Sequence, residues 1–360
     1  MSQPAPRQSR RAVLRLRRHG GAVLLSGLGL FTAACGSTGS SSSSAGKPAE
    51  RTLTYGSPEC GQCLAMSLLP REIRGYRLSY STFANSSDAA TAVASGHVDF
   101  AQITYTNFPT LVSKGVDVVA TSGEVNGGSD FVVSRSLHLA PDNWSALKAV
   151  VTSDKAAGHP FTIASYFGTI QDIELRLLLT EYGINPNTDV NIVNVPYPGM
   201  AQAMHSGSVQ AAAPVQPFGR EITSAGFGAH FSYMSHQPAG NLTNLVVFNG
   251  PFAKAHPKAV LAVDRAMVAL VHYLNTAKGR AAWVAAIEKY TNLSSSVILP
   301  IMSQFPPDVA ISLTKVEQIS SAMYADRLLT SPLTAAELRS HIDYKTLAEA
   351  AGTSPASVGS

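Results

Sequence analysis

The chain has 360 residues, 45% hydrophobic and 14% charged, with a formal net charge of +4. That length is more than one compact core usually carries and predicts two domains. Six arginines and no acid fall within residues 1–34, and the remainder holds 21 basic against 23 acidic residues, so the body is near neutral; this excludes the basic field, and with it the partnership, of a nucleic-acid binder.

Residues 1–35 read as an export signal. A basic segment over 10–18 precedes a mildly apolar one over 20–34, shorter than the roughly 20 apolar residues a bilayer span needs. Ser9-Arg10-Arg11-Ala12-Val13-Leu14-Arg15 resembles the twin-arginine export motif, with the general secretion route as the alternative. Thr32-Ala33-Ala34-Cys35 resembles a lipobox, in which Cys35 is lipidated and becomes the new N-terminus; Thr32 stands where Leu or Val is usual. Residues 36–50 open with GSTGSSSSSAG, a flexible tether of the kind that lets an anchored domain stand off a membrane.

The folded part begins near Arg51. Strand is predicted over 53–55, a Gly- and Cys-bearing loop over 56–63, a helix over 64–69 and an alternating strand over 76–83. Ser86-Ser87-Asp88 is an N-cap cluster for an Ala-rich helix that Ser95-Gly96 closes. A short apolar strand over 98–101 follows. Its carboxyl end runs into a polar, aromatic loop over 102–107, and in open α/β sheets ligands bind at that edge. A helix and a second strand complete the unit by Gly123, and Phe131-Val132-Val133 carries the chain toward a second half. There, strands are predicted over 161–164, 190–195 and 209–213. Thr169 caps a helix over 171–182 that Gly183 stops, and a short helix spans 200–205. A strand over 245–248 returns to the first half. Helices over 257–274, 281–290, 313–325 and 335–347 form a C-terminal layer, and the small, polar tail after Gly352 is expected to be loose.

The two halves echo one another. Ser206-Gly207-Ser208-Val209-Gln210-Ala211-Ala212 repeats the pattern of Ser95 to Ala101. Tyr166-Phe167-Gly168-Thr169 repeats Tyr55-Gly56-Ser57-Pro58, and both pairs are 111 residues apart. Two similar α/β lobes with strand ends facing one cleft are expected.

SGHVDFAQITYTNFPTLVSKGVDVVATS, residues 95–122, resembles the signature of ABC-importer solute-binding proteins, in the branch for aliphatic sulfonates, nitrate, taurine and thiamine-pyrimidine precursors. Segments 161–183, 190–218 and 245–260 fit the same family. The resemblance implies an α/β, two-lobed periplasmic-binding-protein type II (Venus flytrap) fold, with a mixed sheet in each lobe and a C-terminal helical layer. Lobe 1 is expected over 51–133 and 245–352, lobe 2 over 134–244, and a loose tail over 353–360. It also implies a monomeric lipoprotein on the outer face of the cell membrane that captures a small, anionic or planar organic molecule in the inter-lobe cleft and hands it to ABC permease subunits, without enzymatic chemistry or cofactor. A sensory or interaction lipoprotein of the same fold is an alternative. An enzyme like the pyrimidine synthase of the precursor branch is another, although that branch carries a Cys-rich motif unlike CGQC here.

Candidate ligand contacts follow. Tyr166, Gly168, Thr169 and Gln171 lie where a strand turns into a helix; glycine lets a ligand approach, and the helix start favours an anion. Thr104, Tyr105 and Asn107 offer hydrogen bonds or stacking, and Glu124 ends the next strand. Ser57, Glu59 and Cys60 form the first loop, and Gln216 and Phe218 follow the echoed strand. Relatives in this family often carry Glu before that Pro-Phe pair, so Gln216 removes a charge. Cys60-Gly61-Gln62-Cys63 admits three readings: a local disulfide, plain thiols in a ligand loop, or redox or metal chemistry. The ten histidines show no metal-ligand spacing, and no metal site is expected.

Overall fold

Eleven strands form two mixed sheets in this computed structural model, which describes residues 51–234 and 243–360. The predicted export signal, Cys35 and the Gly/Ser tether lie outside the described residues. The strands are β1 (Arg51–Pro58), β2 (Glu72–Ile73), β3 (Tyr76–Phe83), β4 (Phe100–Thr104), β5 (Val118–Gly123), β6 (Asp130–Ser134), β7 (Phe161–Ser165), β8 (Val190–Asn194), β9 (Ala211–Ala212), β10 (Gly228–Tyr233) and β11 (Asn244–Asn249). The first sheet runs β2-β3-β1-β4-β11-β5 and the second β10-β6-β9-β7-β8. In the first, β1 is parallel to β3 and β4, and β11 is antiparallel to β4 and β5. In the second, β7 is parallel to β8 and β9, and β6 is antiparallel to β9 and β10. The central strands β4 and β11 are buried along nearly their whole length, which is why they read as continuous apolar runs rather than alternating ones.

The echo is therefore one of topology: β3-β1-β4-β11-β5 matches β8-β7-β9-β6-β10 position by position. Register corrects the offset. Phe100 pairs with Tyr55, whereas Ala211, 111 residues on, pairs with Ile163. Tyr55 thus corresponds to Ile163 and not to Tyr166, a shift of three residues.

The helices are α1 (Ser86–Ala94), α2 (Asn107–Ser113), α3 (Trp144–Ala156), α4 (Ile170–Glu181), α5 (Tyr197–His205), α6 (Phe218–Ser224), α7 (Gly250–Ala255), α8 (Pro257–Leu274), α9 (Ala277–Thr291), α10 (Ser295–Ile298), α11 (Leu313–Ala325), α12 (Ala335–Ser340) and α13 (Tyr344–Ala351). Ile170 and Ile173 of α4 share a core cluster with Val316, Ile319 and Met323 of α11, so apolar packing joins the second sheet's layer to the C-terminal one. Burying such side chains contributes roughly 1.5–3 kcal/mol each.

Several expectations change. β6 pairs within the second sheet, so the crossing precedes Asp130 instead of following Val133. β4 extends to Thr104, which turns the start of the predicted 102–107 loop into strand. The 64–69 helix is a six-residue 3-10 turn, Cys63–Leu68. Asn85, one residue before the predicted cluster, caps α1 by accepting from the Asp88 N–H at 2.9 Å. Strand 209–213 narrows to the two residues of β9. The 335–347 helix breaks into α12 and α13, because Ile342 bridges to Ala120 and Asp343 then caps α13. The tail is not loose: Val358 is buried, and the Ile311 and Leu313 N–H groups donate to the Val358 and Gly359 carbonyls at 2.9 and 3.1 Å.

Candidate functional site

A cavity of about 270 Å³ lies between the carboxyl ends of the two sheets. Its first wall is the turn after β1. The Cys60 N–H donates back to the Pro58 carbonyl at 3.0 Å, and Cys60 and Cys63 are joined as a disulfide, three residues apart. The turn is held from both sides. Gly61 N–H donates to the Gln216 carbonyl at 3.1 Å, and the Trp283 indole N–H donates to the Gly61 carbonyl at 2.8 Å. A Cβ at Gly61 would stand 2.8 Å from the Phe305 ring, so this close approach requires glycine. Glu59, Gln62 and both cysteines face the cavity, joined by Thr104 and Asn244 at the ends of β4 and β11.

The second wall is the turn from β7 into α4, with the starts of α5 and α6. Thr169 caps α4 by accepting from the Asp172 N–H. The buried Asp172 carboxylate accepts from the Gly168 N–H at 3.2 Å, the Ser165 hydroxyl at 3.1 Å and Arg176 Nε at 3.1 Å. A negative charge of the chain's own therefore already answers the positive end of α4. Tyr166 meets Tyr197 edge-on at 5.3 Å, and Tyr197 lies nearly parallel to Phe218 at 5.8 Å. The Tyr197 hydroxyl donates to Gln171 Oε1 at 2.6 Å, and Gln171 Nε2 donates to Ser129 Oγ at 2.9 Å. Each aromatic plate is thus fixed by a ring neighbour, and Tyr197 also by a hydrogen bond.

Two carboxyls sit one layer behind these walls. Burial raises Glu124 well above the usual carboxylate range, with a backbone group of Met66 pulling the other way. Burial likewise raises Glu174, against the Ser129 hydroxyl. Desolvation dominates both and disfavours the charged form of each.

Of the residues singled out in the sequence, Glu59, Cys60, Cys63, Thr104, Tyr166, Thr169, Gln171 and Phe218 line the cavity. Asn107 and Gly168 line an adjoining recess of about 140 Å³, where the Asn107 side chain accepts from the Thr104 hydroxyl at 2.7 Å. Four do not reach either space. Ser57 is buried and shares a hydrogen bond with the Tyr80 hydroxyl at 2.7 Å. Tyr105 lies in the core with its ring fully buried, so truncating it would open a void and remove no ligand contact. Glu124 lies behind the first wall, and Gln216 is buried under the second. The Gln216 side chain donates to Asp130 Oδ2 at 3.0 Å. A glutamate there would set two carboxylates against each other, so the amide is what Asp130 requires.

Sequence reasoning missed Tyr197, Asn85, Gln62, Val215 and Asn244 as lining residues. Tyr197 follows β8, and the strand-end rule applied to that strand would have found it. Asn85 stands one residue before the predicted cap cluster and was not singled out, and Asn244 begins a strand whose pairing partner is distant in sequence.

The fold is that of the type II periplasmic binding proteins. A nitrate-binding protein, NrtA, from Synechocystis PCC 6803 aligns with a TM-score of 0.71 and 13% identity, covering 84% of this chain and 88% of that one. The alkanesulfonate-binding protein SsuA from Xanthomonas axonopodis pv. citri aligns with a TM-score of 0.65 and 17% identity, covering 81% and 98%. The sequence pattern of the NMT1-like family matches residues 65–288, well over half the chain, and the chain belongs to that family. The nitrate/nitrite binding protein NrtA of Synechococcus elongatus is 25% identical over 122 residues, 34% of this chain; the matched stretch spans 28% of that relative's length.

Proposed function

We propose that this chain is the extracytoplasmic solute-binding component of an ABC importer, anchored through a lipid on Cys35, and that it captures a planar, uncharged molecule. The observation that carries this is the cavity: rings from Tyr166, Tyr197 and Phe218 wall one side, the disulfide turn walls the other, and no Lys or Arg is among its described lining residues. An anion desolvated there would lack a compensating cation, Asp172 already occupies the helix start, and Glu59 at the wall opposes it. A flat apolar face stacked on the tyrosines supplies binding energy, while Gln171 and Thr104 supply polar contacts. Capture needs no covalent step. Closure follows because both walls contact the ligand only in the closed state, and the closed protein docks on permease subunits.

A thermal-shift screen tests the ligand class, since a bound ligand at 100 times its Kd adds about 2.7 kcal/mol. Neutral heteroaromatics are expected to raise the melting temperature, and nitrate or alkanesulfonates to leave it unchanged; the reverse ranking overturns the ligand reading. The anchor is tested separately: Cys35→Ala is expected to release the protein from the membrane fraction or block its processing.

A further inference from the structure

We propose that Asp130, which touches no part of the cavity, is the positioning residue that holds the cleft closed, acting through the side chain of Gln216. This deepens the binding reading above by naming what regulates that site. Asp130 opens β6 and is 3% exposed; Gln216 is 2% exposed. Every polar atom of Gln216 is engaged. Its Nε2 donates to Asp130 Oδ2 at 3.0 Å and to Gln304 Oε1 at 3.3 Å, and its Oε1 accepts from the Arg220 N–H at 2.9 Å. Its own N–H donates to the Gly128 carbonyl at 2.7 Å, and its carbonyl accepts from Gly61 N–H at 3.1 Å.

Two of those bonds leave the second sheet's layer. The Gly61 bond reaches the disulfide turn that forms the first wall. The Gln304 bond reaches the C-terminal layer, where Gln304 also donates to the Tyr233 hydroxyl at 3.2 Å. Gln216 is therefore a point at which both walls meet, and its amide faces Gln304 and Asp130 together. Asp130 is fixed in turn by the ring of His230, whose Nδ1 lies 2.7 Å from Oδ1. A charged acceptor makes the Asp130–Gln216 bond stronger than a neutral one would be. A Cβ at Gly219 would stand 2.9 Å from Asp130 Oδ2, so a residue larger than glycine there would press on the carboxylate.

The test needs no ligand, so its failure and failure of the transport reading are separable. Spin labels at Ser81→Cys and Asn191→Cys, one in each sheet, report the distance across the cleft. Hydrogen exchange at the Gly61 amide reports the clasp itself. Relative to the labelled parent, Gln304→Ala, which sits at the rim, is expected to speed Gly61 exchange by about threefold to tenfold, the value of one hydrogen bond. Gln216→Glu is expected to do more and to add a longer-distance population, because it places two carboxylates in contact. Adding Asp130→Asn to Gln216→Glu restores an amide–carboxylate pair with its polarity reversed, and is expected to return both readouts most of the way. Unchanged Gly61 exchange and distances in Gln304→Ala and Gln216→Glu overturn the proposal. So does failure of the double variant to recover at a melting temperature near the parent's, since a merely structural role predicts no rescue.

Discussion

The turns after β1 and β7 occupy the same position in their sheets, yet they are built by different means. After β1 the chain makes a four-residue turn closed by a disulfide and runs into a six-residue 3-10 helix whose start has no side-chain cap. After β7 it runs directly into a 12-residue α-helix capped by Thr169, with Asp172 collecting three donors. The first wall takes its shape from a covalent bond and from anchors outside itself, Trp283 and Gln216. The second takes its shape from a local polar knot. One topology thus supports two ways of fixing a ligand wall, and they fail under different perturbations: the first under reductant, the second under loss of one carboxylate.

The largest expected effect breaks the second wall. Asp172→Ala removes the acceptor for Gly168, Ser165 and Arg176, leaving the partly buried Arg176, which also lies over the Phe167 ring, without its hydrogen-bonded carboxylate. The loss is expected to be about 3–5 kcal/mol, the range for breaking a buried ion pair from one side. Denaturant unfolding reads it, and a loss below about 1 kcal/mol would show that α4 keeps its start without the knot.

Next is the pH dependence of stability, to which both halves contribute buried acids raised by desolvation: Glu124 and Asp264 in the first, Glu174 in the second. Glu124 and Glu174 have folded-state pKa values raised by burial. The folded protein therefore keeps protons that the unfolded chain releases above about pH 4.5. Stability is present in full below that pH and falls as pH rises toward the folded-state values, by about 1.4 kcal/mol per pH unit per group. His230 adds to the same trend: burial lowers its pKa, but the hydrogen bond and charge of Asp130, with Asp142, outweigh it and hold it raised. Glu124→Gln and Glu174→Gln are each expected to flatten the melting curve between pH 5 and 8, and a parent melting temperature that rises over that range contradicts the assignment.

Much of this was legible in the sequence because the features are local. The cap at Thr169 and the stops at Gly96 and Gly183 follow from residue type and spacing. What was hidden depends on contacts remote in sequence. Tyr105 reads like Thr104 in a polar run, but the backbone at the end of β4 turns one side chain to the cavity and the other into the core. Gln216 reads as a ligand contact until Asp130, 86 residues away, takes its amide. The β7 turn was aligned on Tyr166 from Gly and Tyr spacing, whereas pairing with β9 sets the register three residues earlier. The C-terminal tail looked loose because small residues predict it, yet Val358 is buried and the Ile311 and Leu313 N–H groups donate to the tail's carbonyls.

A smaller effect separates the walls by chemistry. Reducing the Cys60–Cys63 disulfide is expected to cost about 2 kcal/mol or less, since so short a loop restricts the unfolded chain little. The change should be confined to the first wall. Hydrogen exchange in the presence of dithiothreitol is expected to rise over residues 59–66 and stay unchanged over 165–176. Equal loss in both segments would mean the two walls are not independently held.

The smallest effect concerns Gly168, the second wall's counterpart to the disulfide turn. Its φ is +76°, and a Cβ added there would meet nothing within 4 Å. Bulk is therefore not what glycine avoids at this position; only the left-handed backbone requires it. Gly168→Ala is expected to cost about 1–2 kcal/mol, the penalty of that conformation for a residue with a Cβ. Gly168→Asn should recover part of that, because Asn tolerates the left-handed region. Gly168→Val should be the worst of the three, since a β-branched side chain is the least tolerant of positive φ. The three variants keep the Gly168 N–H to Asp172, so a graded loss in the order Asn, Ala, Val assigns the cost to the backbone. Equal losses for all three would instead place it in the contact that the Thr106 hydroxyl makes with the Gly168 carbonyl across the cleft, at 3.4 Å.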